Sequence, residues 1–260
     1  MINNKKIIIA NLKMYLALVG DVDRWLDNFS KAEKDLAFKN VELVICPPSI
    51  FIEKFINKIE SKTVSVGAQN CFWENKGAFT GEISPAMLSS MGARYVILGH
   101  SERRNYLGEN NEIVSHKILT ALKSGLKPIV CVGEDREQRK RGMTMEVILT
   151  QLDECLGGVS QGRMEDVVIC YEPVWAISAN NPVAPPTSDD VMSARLLIKK
   201  FLVKKYGEKV AERVRIIYGG SIDSKNVGDV CVDSGMKGGL IGHASTIPHE
   251  LVKIATLMDN

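Results

Sequence analysis

The strongest constraint on the fold is a regular alternation of short apolar runs with longer stretches of helical periodicity. Eight runs rich in β-branched residues lie at 6–10, 42–46, 63–68, 95–98, 128–132, 167–171, 215–218 and 239–241. Stretches with apolar residues three and four positions apart separate them, among them 21–36, 48–59, 112–124, 144–156 and 188–206. Runs that are apolar throughout are typical of parallel strands buried on both faces. The pattern predicts an α/β fold, a closed (β/α)8 TIM barrel, with a doubly wound open sheet as the alternative because periodicity does not reveal closure.

The length of the chain favours one domain built on this pattern. Its 260 residues match the usual size of a single barrel of about 250 residues. The one stretch rich in proline and asparagine, 178–186, is short and central, which is typical of a functional loop after a strand. We therefore expect a single (β/α)8-barrel domain over residues 1–260.

The charge balance and the cysteines of the chain limit its expected cellular location and its expected classes of binding partner. The 33 basic and 31 acidic residues are interspersed, so neither nucleic acid nor an anionic membrane is an expected partner. No stretch approaches the roughly 18 apolar residues that span a bilayer, and the first apolar run is too short for a signal peptide. The six cysteines contain no C-x-x-C pair and several lie in apolar runs, which indicates reduced, buried thiols. The expected location is the cytoplasm.

The residues that follow the apolar runs carry the candidate chemistry, because parallel strands of a barrel end at one common mouth. Polar or glycine-rich segments follow five runs: Asn11 and Lys13, then residues 99–104, Glu172, residues 219–221 and residues 242–245. A carboxylate can remove a proton next to a carbonyl, and an imidazole can polarise the carbonyl oxygen. A lysine can stabilise an enediolate, and glycine-rich turns can offer backbone N–H groups to a phosphate. The set predicts proton transfer on a phosphorylated hydroxy-carbonyl compound.

This chemistry requires neither a metal nor a cofactor. The four histidines lack the spacing of metal ligands. No G-x-G-x-x-G opens a helix after a strand, so a dinucleotide site is not expected either.

Five segments resemble the triosephosphate isomerase family, in the order and spacing of that family and from end to end of the chain. In one-letter code they are ANLKM at 10–14, GAFTGEISP at 77–85, GHSERR at 99–104, YEPVWAI at 171–177 and YGGS at 218–221. The resemblance implies an aldose–ketose isomerase of glycolysis and gluconeogenesis, which interconverts dihydroxyacetone phosphate and D-glyceraldehyde 3-phosphate through an enediolate.

The resemblance also implies roles for the residues at the predicted mouth. Glu172 is the proton acceptor and His100 is the electrophile, kept neutral by the start of the following helix, as is established for this family. Asn11 and Lys13 bind substrate, and Glu102 is a partner of Lys13.

Further implied roles concern the phosphate and a second subunit. The backbone groups implied to hold the phosphate belong to Ser178, Ser221, Gly242 and His243. The loop 69–82 resembles an arm that inserts into a second subunit with Thr80 near its active site, which implies a homodimer. Cys131 matches a family cysteine near the base.

Three departures from the family pattern lie at the phosphate end and beside the first strand. The loop after Ile177 usually reads Gly-Thr-Gly-Lys-Thr-Ala, whereas here Ser178 opens it and Pro182 is expected to stiffen its second hinge. His243 stands in the last turn where glycine is usual, so we expect a costly positive φ there, with the ring either pointing outward or contacting substrate. Leu12 and Tyr15 replace a tryptophan and an asparagine, which is expected to alter the dimer contact or the pocket floor.

Three functions are therefore considered. The first is triosephosphate isomerisation, and the second is the same chemistry on a tetrulose phosphate such as an erythrulose phosphate, which would explain the altered phosphate end. The third is a non-catalytic phosphosugar-binding protein, which the retention of every proton-transfer group disfavours.

Overall fold

The eight strands form one closed parallel barrel in which each strand pairs with its neighbours in sequence. The computed structural model describes residues 5–33, 38–177 and 185–259. The strands are β1 Lys6–Asn11, β2 Val41–Cys46, β3 Val64–Ala68, β4 Tyr95–Leu98, β5 Lys127–Val132, β6 Val168–Tyr171, β7 Arg215–Tyr218 and β8 Gly238–Ile241. Pairing of β1 with β8, from Ile7 opposite Gly238 to Ala10 opposite Ile241, closes the barrel. The predicted barrel is confirmed, and the open sheet is wrong.

Helices follow the strands and cover the outside of the barrel. Those in the described ranges are α1 Val19–Glu33, α2 Ile52–Lys58, α3 Pro85–Met91, α4 Ser101–Leu107, α5 Asn111–Lys123, α6 Arg136–Lys140, α7 Thr144–Leu156, α8 Ser188–Tyr206, α9 Glu208–Arg213 and α10 Pro248–Asp259. Helix α8 begins at a capping box, in which Thr187 accepts from the Asp190 N–H and the Asp190 side chain accepts from the Thr187 N–H. None of the helices in these ranges is both long and apolar enough to cross a membrane.

Two apolar clusters explain why the strands read as continuous apolar runs. Successive side chains of a strand point to opposite faces. In β1, Ile7 and Ile9 belong to the smaller cluster inside the barrel, whereas Ile8 and Ala10 belong to the larger cluster between strands and helices. All six cysteines are buried and unpaired, as predicted.

A polar network closes the barrel at the N-terminal ends of the strands. The Arg215 guanidinium donates to Glu42 at 2.8 Å and to the Tyr95 hydroxyl at 3.0 Å, and that hydroxyl donates to Glu42 at 2.8 Å. Arg215 and Tyr95 are buried. The network lies at the end opposite the mouth, so it supports the barrel without contacting the predicted site.

Candidate active site

Five strand ends converge on a cleft of about 180 Å³ at the C-terminal mouth of the barrel. The predicted residues that line it are Asn11, Lys13, His100, Glu172, Ser221, Gly242 and His243. The volume lies below the roughly 300 Å³ at which pockets for drug-sized ligands begin, so the cleft suits a small substrate. Glu102 borders an adjoining cleft and reaches this one through Lys13.

Glu172 directly follows β6 and is 2% exposed. Its Oε1 lies 2.9 Å from His100 Nε2, and its Oε2 accepts from the Ser101 N–H at 2.9 Å. Burial raises the pKa of this carboxyl. His100, the Ser101 N–H and Lys13 together lower it by more, so the pKa lies below its ordinary value. A buried carboxylate that is ionised and close to a polarising group has the properties of a general base.

A glycine directly after the neighbouring strand β5 allows the close approach of the Glu172 backbone. A Cβ on Gly133 would lie 2.0 Å from the Glu172 carbonyl oxygen. The Glu172 N–H donates to the Val132 carbonyl at 2.8 Å across the same contact. Any larger residue at 133 would therefore displace the carboxylate-bearing segment.

His100 is the N-cap of α4 and is buried. Its Nδ1 accepts from the Glu102 N–H at 3.3 Å, which assigns the ring proton to Nε2, opposite Glu172. Burial lowers the pKa of this imidazole, whereas the Glu172 carboxylate and its hydrogen bond raise it, and the net direction is upward while the two side chains are in contact. The Glu102 N–H at the start of α4 thus fixes the tautomer of His100, and the contact with Glu172 raises the pKa of its imidazole.

Lys13 is held in a strained backbone conformation. Its φ of 46° is the only positive value at a non-glycine residue in the described part of the chain, and such a conformation costs on the order of 1–3 kcal/mol. The Asn11 side chain accepts from the Lys13 N–H at 3.1 Å, and the Gln69 amide donates to the Lys13 carbonyl at 2.9 Å. The Lys13 ammonium lies 2.5 Å from Glu102 Oε1, which is the predicted pairing. Gln69 is a supporting residue that sequence reasoning did not single out.

Glycine is required where β7 meets the mouth. A Cβ on Gly219 would lie 2.5 Å from the Cys170 sulfur, and one on Gly220 would lie 1.9 Å from the Tyr218 hydroxyl oxygen. The Ser221 hydroxyl, next along the chain, donates to the Ala176 carbonyl at 3.1 Å. This contact joins the segment after β7 to the segment after Glu172.

The structure corrects the expected strain at His243. The residue does not adopt a positive φ; it opens a 3₁₀ turn, His243–Thr246, and the unusual angles fall on Gly242 instead, with φ −88° and ψ −106°. Glycine tolerates such angles because it lacks a Cβ. His243 is exposed and its ring packs edge-on against Tyr15, with centroids 5.9 Å apart.

The remaining departures have different outcomes. Leu12 is fully buried in the outer core and lines neither cleft, so it does not form a pocket floor, and its expected effect on a dimer contact stays a prediction. Tyr15 is 52% exposed and lines both clefts. Ser178 and Pro182, predicted to act in phosphate binding and at a hinge, lie outside the described residues.

The second cleft, of about 510 Å³, adjoins the first and is bordered by exposed apolar side chains. Met14, Tyr106 and Leu107 line it and are 89%, 77% and 62% exposed. Asn11, Lys13 and His100 line both clefts, so the two spaces meet at the candidate chemistry. Thr80 is exposed on the loop 69–82 and lines neither cleft.

The charged run 134–141 is not exposed to solvent throughout. Glu134 is fully buried and accepts from the Tyr171 hydroxyl at 3.2 Å and from the Trp175 indole N–H at 2.9 Å. The Arg139 guanidinium stacks over the Trp175 ring at 4.0 Å. These contacts anchor the segment directly after Glu172.

The arrangement supports proton transfer by side chains alone. A buried carboxylate, an imidazole N–H and an ammonium group face one small cleft, and two glycine-bearing strand ends lie beside them. Over the described ranges, no group of three or more His, Cys, Asp or Glu side chains is placed to hold a metal ion.

Comparison with known proteins identifies the family. A family model described as triosephosphate isomerase matches residues 6–258. The protein named triosephosphate isomerase of Thermoanaerobacter sp. (strain X514) is 40% identical over 250 residues, covering 96% of this chain and 98% of that protein. Its namesake from Caldanaerobacter subterraneus subsp. tengcongensis is 45% identical over 213 residues, or 82% of this chain and 85% of that protein. The chain therefore belongs to the triosephosphate isomerase family.

Proposed function

We propose that this chain interconverts dihydroxyacetone phosphate and D-glyceraldehyde 3-phosphate, as an aldose–ketose isomerase. The observation that carries the proposal is the 2.9 Å contact between Glu172 and His100 at the base of a small cleft that also contains Lys13. Membership of the triosephosphate isomerase family supports the same activity.

In the proposed reaction, Glu172 removes a proton from the carbon beside the substrate carbonyl. The electron pair moves onto the carbonyl oxygen and forms an enediolate, and the His100 Nε2–H donates a proton to that oxygen. The Lys13 ammonium stabilises the developing negative charge. The deprotonated His100 Nε2 then takes the proton of the adjacent hydroxyl, whose oxygen forms the new carbonyl while Glu172 returns its proton to the former carbonyl carbon. This regenerates both side chains and completes the exchange of aldose and ketose without a cofactor.

This mechanism requires Glu172 to leave His100 when substrate binds. The carboxylate accepts from His100 and Ser101 in this structure, and it must rotate to reach a substrate carbon. Once it departs, the largest influence that raises the pKa of His100 is lost, whereas burial and Lys13, which lower that pKa, remain beside the smaller raising effect of Glu102. We propose that the imidazole is neutral in that state, the form implied by the family resemblance.

The phosphate is proposed to lie at the ends of β7 and β8, against the Lys13 ammonium and backbone N–H groups at Ser221, Gly242 and His243. Backbone N–H groups of turns that follow strands bind phosphate with no side-chain entropy to lose. Ser178 remains a fourth predicted contact.

A homodimer is part of the same proposal. The loop 69–82 of one copy would enter the 510 Å³ cleft of the other, with Thr80 approaching Asn11 and Lys13 there. Exposed Met14, Tyr106 and Leu107 provide apolar surface for such a contact. The proposal takes residues 1–260 as one isomerase domain that works in the cytoplasm, with neither nucleic acid nor membrane as partner.

A coupled assay tests the activity by comparing glyceraldehyde 3-phosphate with erythrulose 1-phosphate. We expect kcat/KM for the triose to approach the diffusion ceiling of about 10⁸ M⁻¹ s⁻¹ that this family is known to reach, and to exceed that for the tetrulose. A triose value several decades lower, with efficient turnover of the tetrulose, would favour the paralogue function.

Solvent hydrogen exchange at the α-carbon of bound substrate tests whether the chain is catalytic at all. Enzyme-dependent exchange is expected because Glu172 removes that proton, and Glu172→Gln provides the inactive control. Binding of substrate without exchange would support the phosphosugar-binding alternative.

A further inference from the structure

Two rings that are unusual for the family meet at the phosphate end of the cleft. Tyr15, from the segment after β1, and His243, from the segment after β8, stand at positions where asparagine and glycine are usual. Their centroids are 5.9 Å apart and their planes are inclined at 76°, an edge-to-face contact. Both line the cleft that contains Lys13 and Ser221. The two substitutions are therefore one structural feature.

Hydrogen bonds to the end of β1 and to α1 hold the turn that carries His243 in place. The buried Ser245 hydroxyl lies 2.6 Å from the Gly242 carbonyl and 3.3 Å from the Asn11 carbonyl, where it can donate to either. The Trp25 indole donates to the Ser245 carbonyl at 3.1 Å. The imidazole thus projects from a held backbone, and its position depends on the side-chain torsions that Tyr15 restricts.

A cationic side chain lies beside the turn that carries the ring. A Cβ on Gly242, the residue before His243, would lie 3.6 Å from Lys13 Cε, so the lysine side chain passes beside this turn. The Asp223 carboxylate also lines the cleft, but it accepts from the Lys225 and Asn226 N–H groups at 2.8 and 3.1 Å. No described residue forms a hydrogen bond with the His243 ring.

We propose that His243 is a phosphate-binding side chain of this enzyme and that Tyr15 positions its ring. A ring N–H of His243 donates to a peripheral oxygen of the substrate phosphate, which adds a side-chain donor to the backbone groups that surround that phosphate. The inference rests on the proposed function, because it assumes a phosphorylated substrate in this cleft.

The contact also sets specificity at the far end of the substrate. An imidazole occupies space that a glycine leaves open, so the distance from Glu172 and His100 to the phosphate is limited to a short carbon chain. Removal of the ring is expected to weaken triose phosphate binding and to reduce the preference for the triose over erythrulose 1-phosphate.

The experiment measures the competitive Ki of inorganic phosphate, together with KM and kcat for glyceraldehyde 3-phosphate. The variants are His243→Ala, His243→Gln, Tyr15→Ala and Tyr15→Phe, and the sedimentation of each is measured so that effects on assembly are seen separately. His249→Ala is the matched control, because it removes an exposed imidazole from α10 that does not line the cleft.

His243→Ala is expected to raise the phosphate Ki and KM about tenfold, the usual effect of one hydrogen bond to a charged group, with a smaller change in kcat. His243→Gln retains an N–H donor and is expected to recover part of the loss. Tyr15→Ala is expected to raise the Ki about threefold through loss of the edge-to-face contact, whereas Tyr15→Phe retains it.

A phosphate Ki for His243→Ala and His243→Gln within twofold of the wild-type value would overturn the inference. Equal effects of His249→Ala and His243→Ala would overturn it as well. Failure of the wild-type protein to turn over the triose contradicts the proposed function instead, and calorimetric titration of inorganic phosphate into each variant, which needs no turnover, then decides the role of His243.

Discussion

At the scale of residues, the site depends on buried polar groups whose charges are mutually determined. Glu172 and His100 are 2% and 6% exposed and lie 2.9 Å apart. Each would be neutral if buried alone, since burial disfavours the charged form of both. Their contact therefore favours an ionised carboxylate at Glu172, which is the form that its proposed role as the base requires.

Shortening the base tests its assignment. Glu172→Asp retracts the carboxylate by one methylene, about 1.5 Å, and such a displacement of a base can cost about 100-fold in rate. We expect kcat to fall by about that factor in a coupled isomerase assay, with a smaller change in KM. A loss of less than about tenfold would show that Glu172 is not the base.

The coupled pair also predicts how stability depends on pH. The pKa of Glu172 is lowered from 4.5, so its contribution is present above 4.5 and is lost as the pH falls through the lowered value. The pKa of His100 is raised from 6.5, so its contribution is present below 6.5 and is lost as the pH rises through the raised value. The pair therefore stabilises the folded protein most between pH 4.5 and pH 6.5, the ordinary pKa values of the two groups.

Urea unfolding of the wild-type protein and of His100→Gln measures this contribution. The difference in the free energy of unfolding is expected to be larger at about pH 5.5 than at about pH 8.5, by on the order of 1–2 kcal/mol. Glu172→Gln should remove the same pH dependence. A difference that does not vary with pH would contradict the coupling.

At the scale of elements, stability and chemistry lie at opposite ends of the strands. The N-terminal ends carry the Glu42–Tyr95–Arg215 network, and the C-terminal ends carry the candidate active site. This separation is general for barrels of this architecture. It allows the turns after the strands to change, as at His243, while the strands keep their pairing.

Arg215→Met tests this separation. The variant leaves the Glu42 carboxylate without its guanidinium partner, so we expect a loss of about 3 kcal/mol in the free energy of unfolding, with kcat within about twofold of wild type. The double variant Arg215→Met, Glu42→Leu is expected to recover much of the stability, because it also removes the unpaired charge. A parallel loss of kcat in a variant that remains folded would contradict the proposed independence of the two ends.

At the scale of the whole molecule, the two clefts share residues, so assembly and chemistry are expected to be linked. Asn11, Lys13 and His100 line both the catalytic cleft and the cleft proposed to receive a second copy's arm. A segment docked in the second cleft would exclude water from one side of Lys13. Electrostatic interactions at the active site strengthen when water is excluded.

Thr80→Arg tests the arm. A long cationic side chain at this exposed position would clash in the partner's cleft near Lys13, so sedimentation equilibrium should shift from dimer towards monomer and kcat should fall with it. Leu196→Arg, which adds the same charge on the exposed face of α8, is the matched control and should remain dimeric. A Thr80→Arg protein with wild-type assembly would exclude this docking mode.

Much of the architecture was predictable because it follows from local periodicity. The runs 95–98 and 215–218 coincide with β4 and β7, and the helical stretches 144–156 and 188–206 coincide with α7 and α8. Resemblance to a known family added the candidate residues at the strand ends. Their roles, and that of Ser178, remain predictions.

Only the tertiary structure decided which residues that are far apart in sequence are in contact. Periodicity shows that a face is buried but not what buries it. It therefore left an open sheet as the alternative to the pairing of β1 with β8, and it did not show that Glu134 is buried within a charged run. The contact between Tyr15 and His243 joins residues at opposite ends of the chain. Only closure of the barrel brings those ends together, so two substitutions that are far apart in sequence form one ring pair beside the proposed phosphate site.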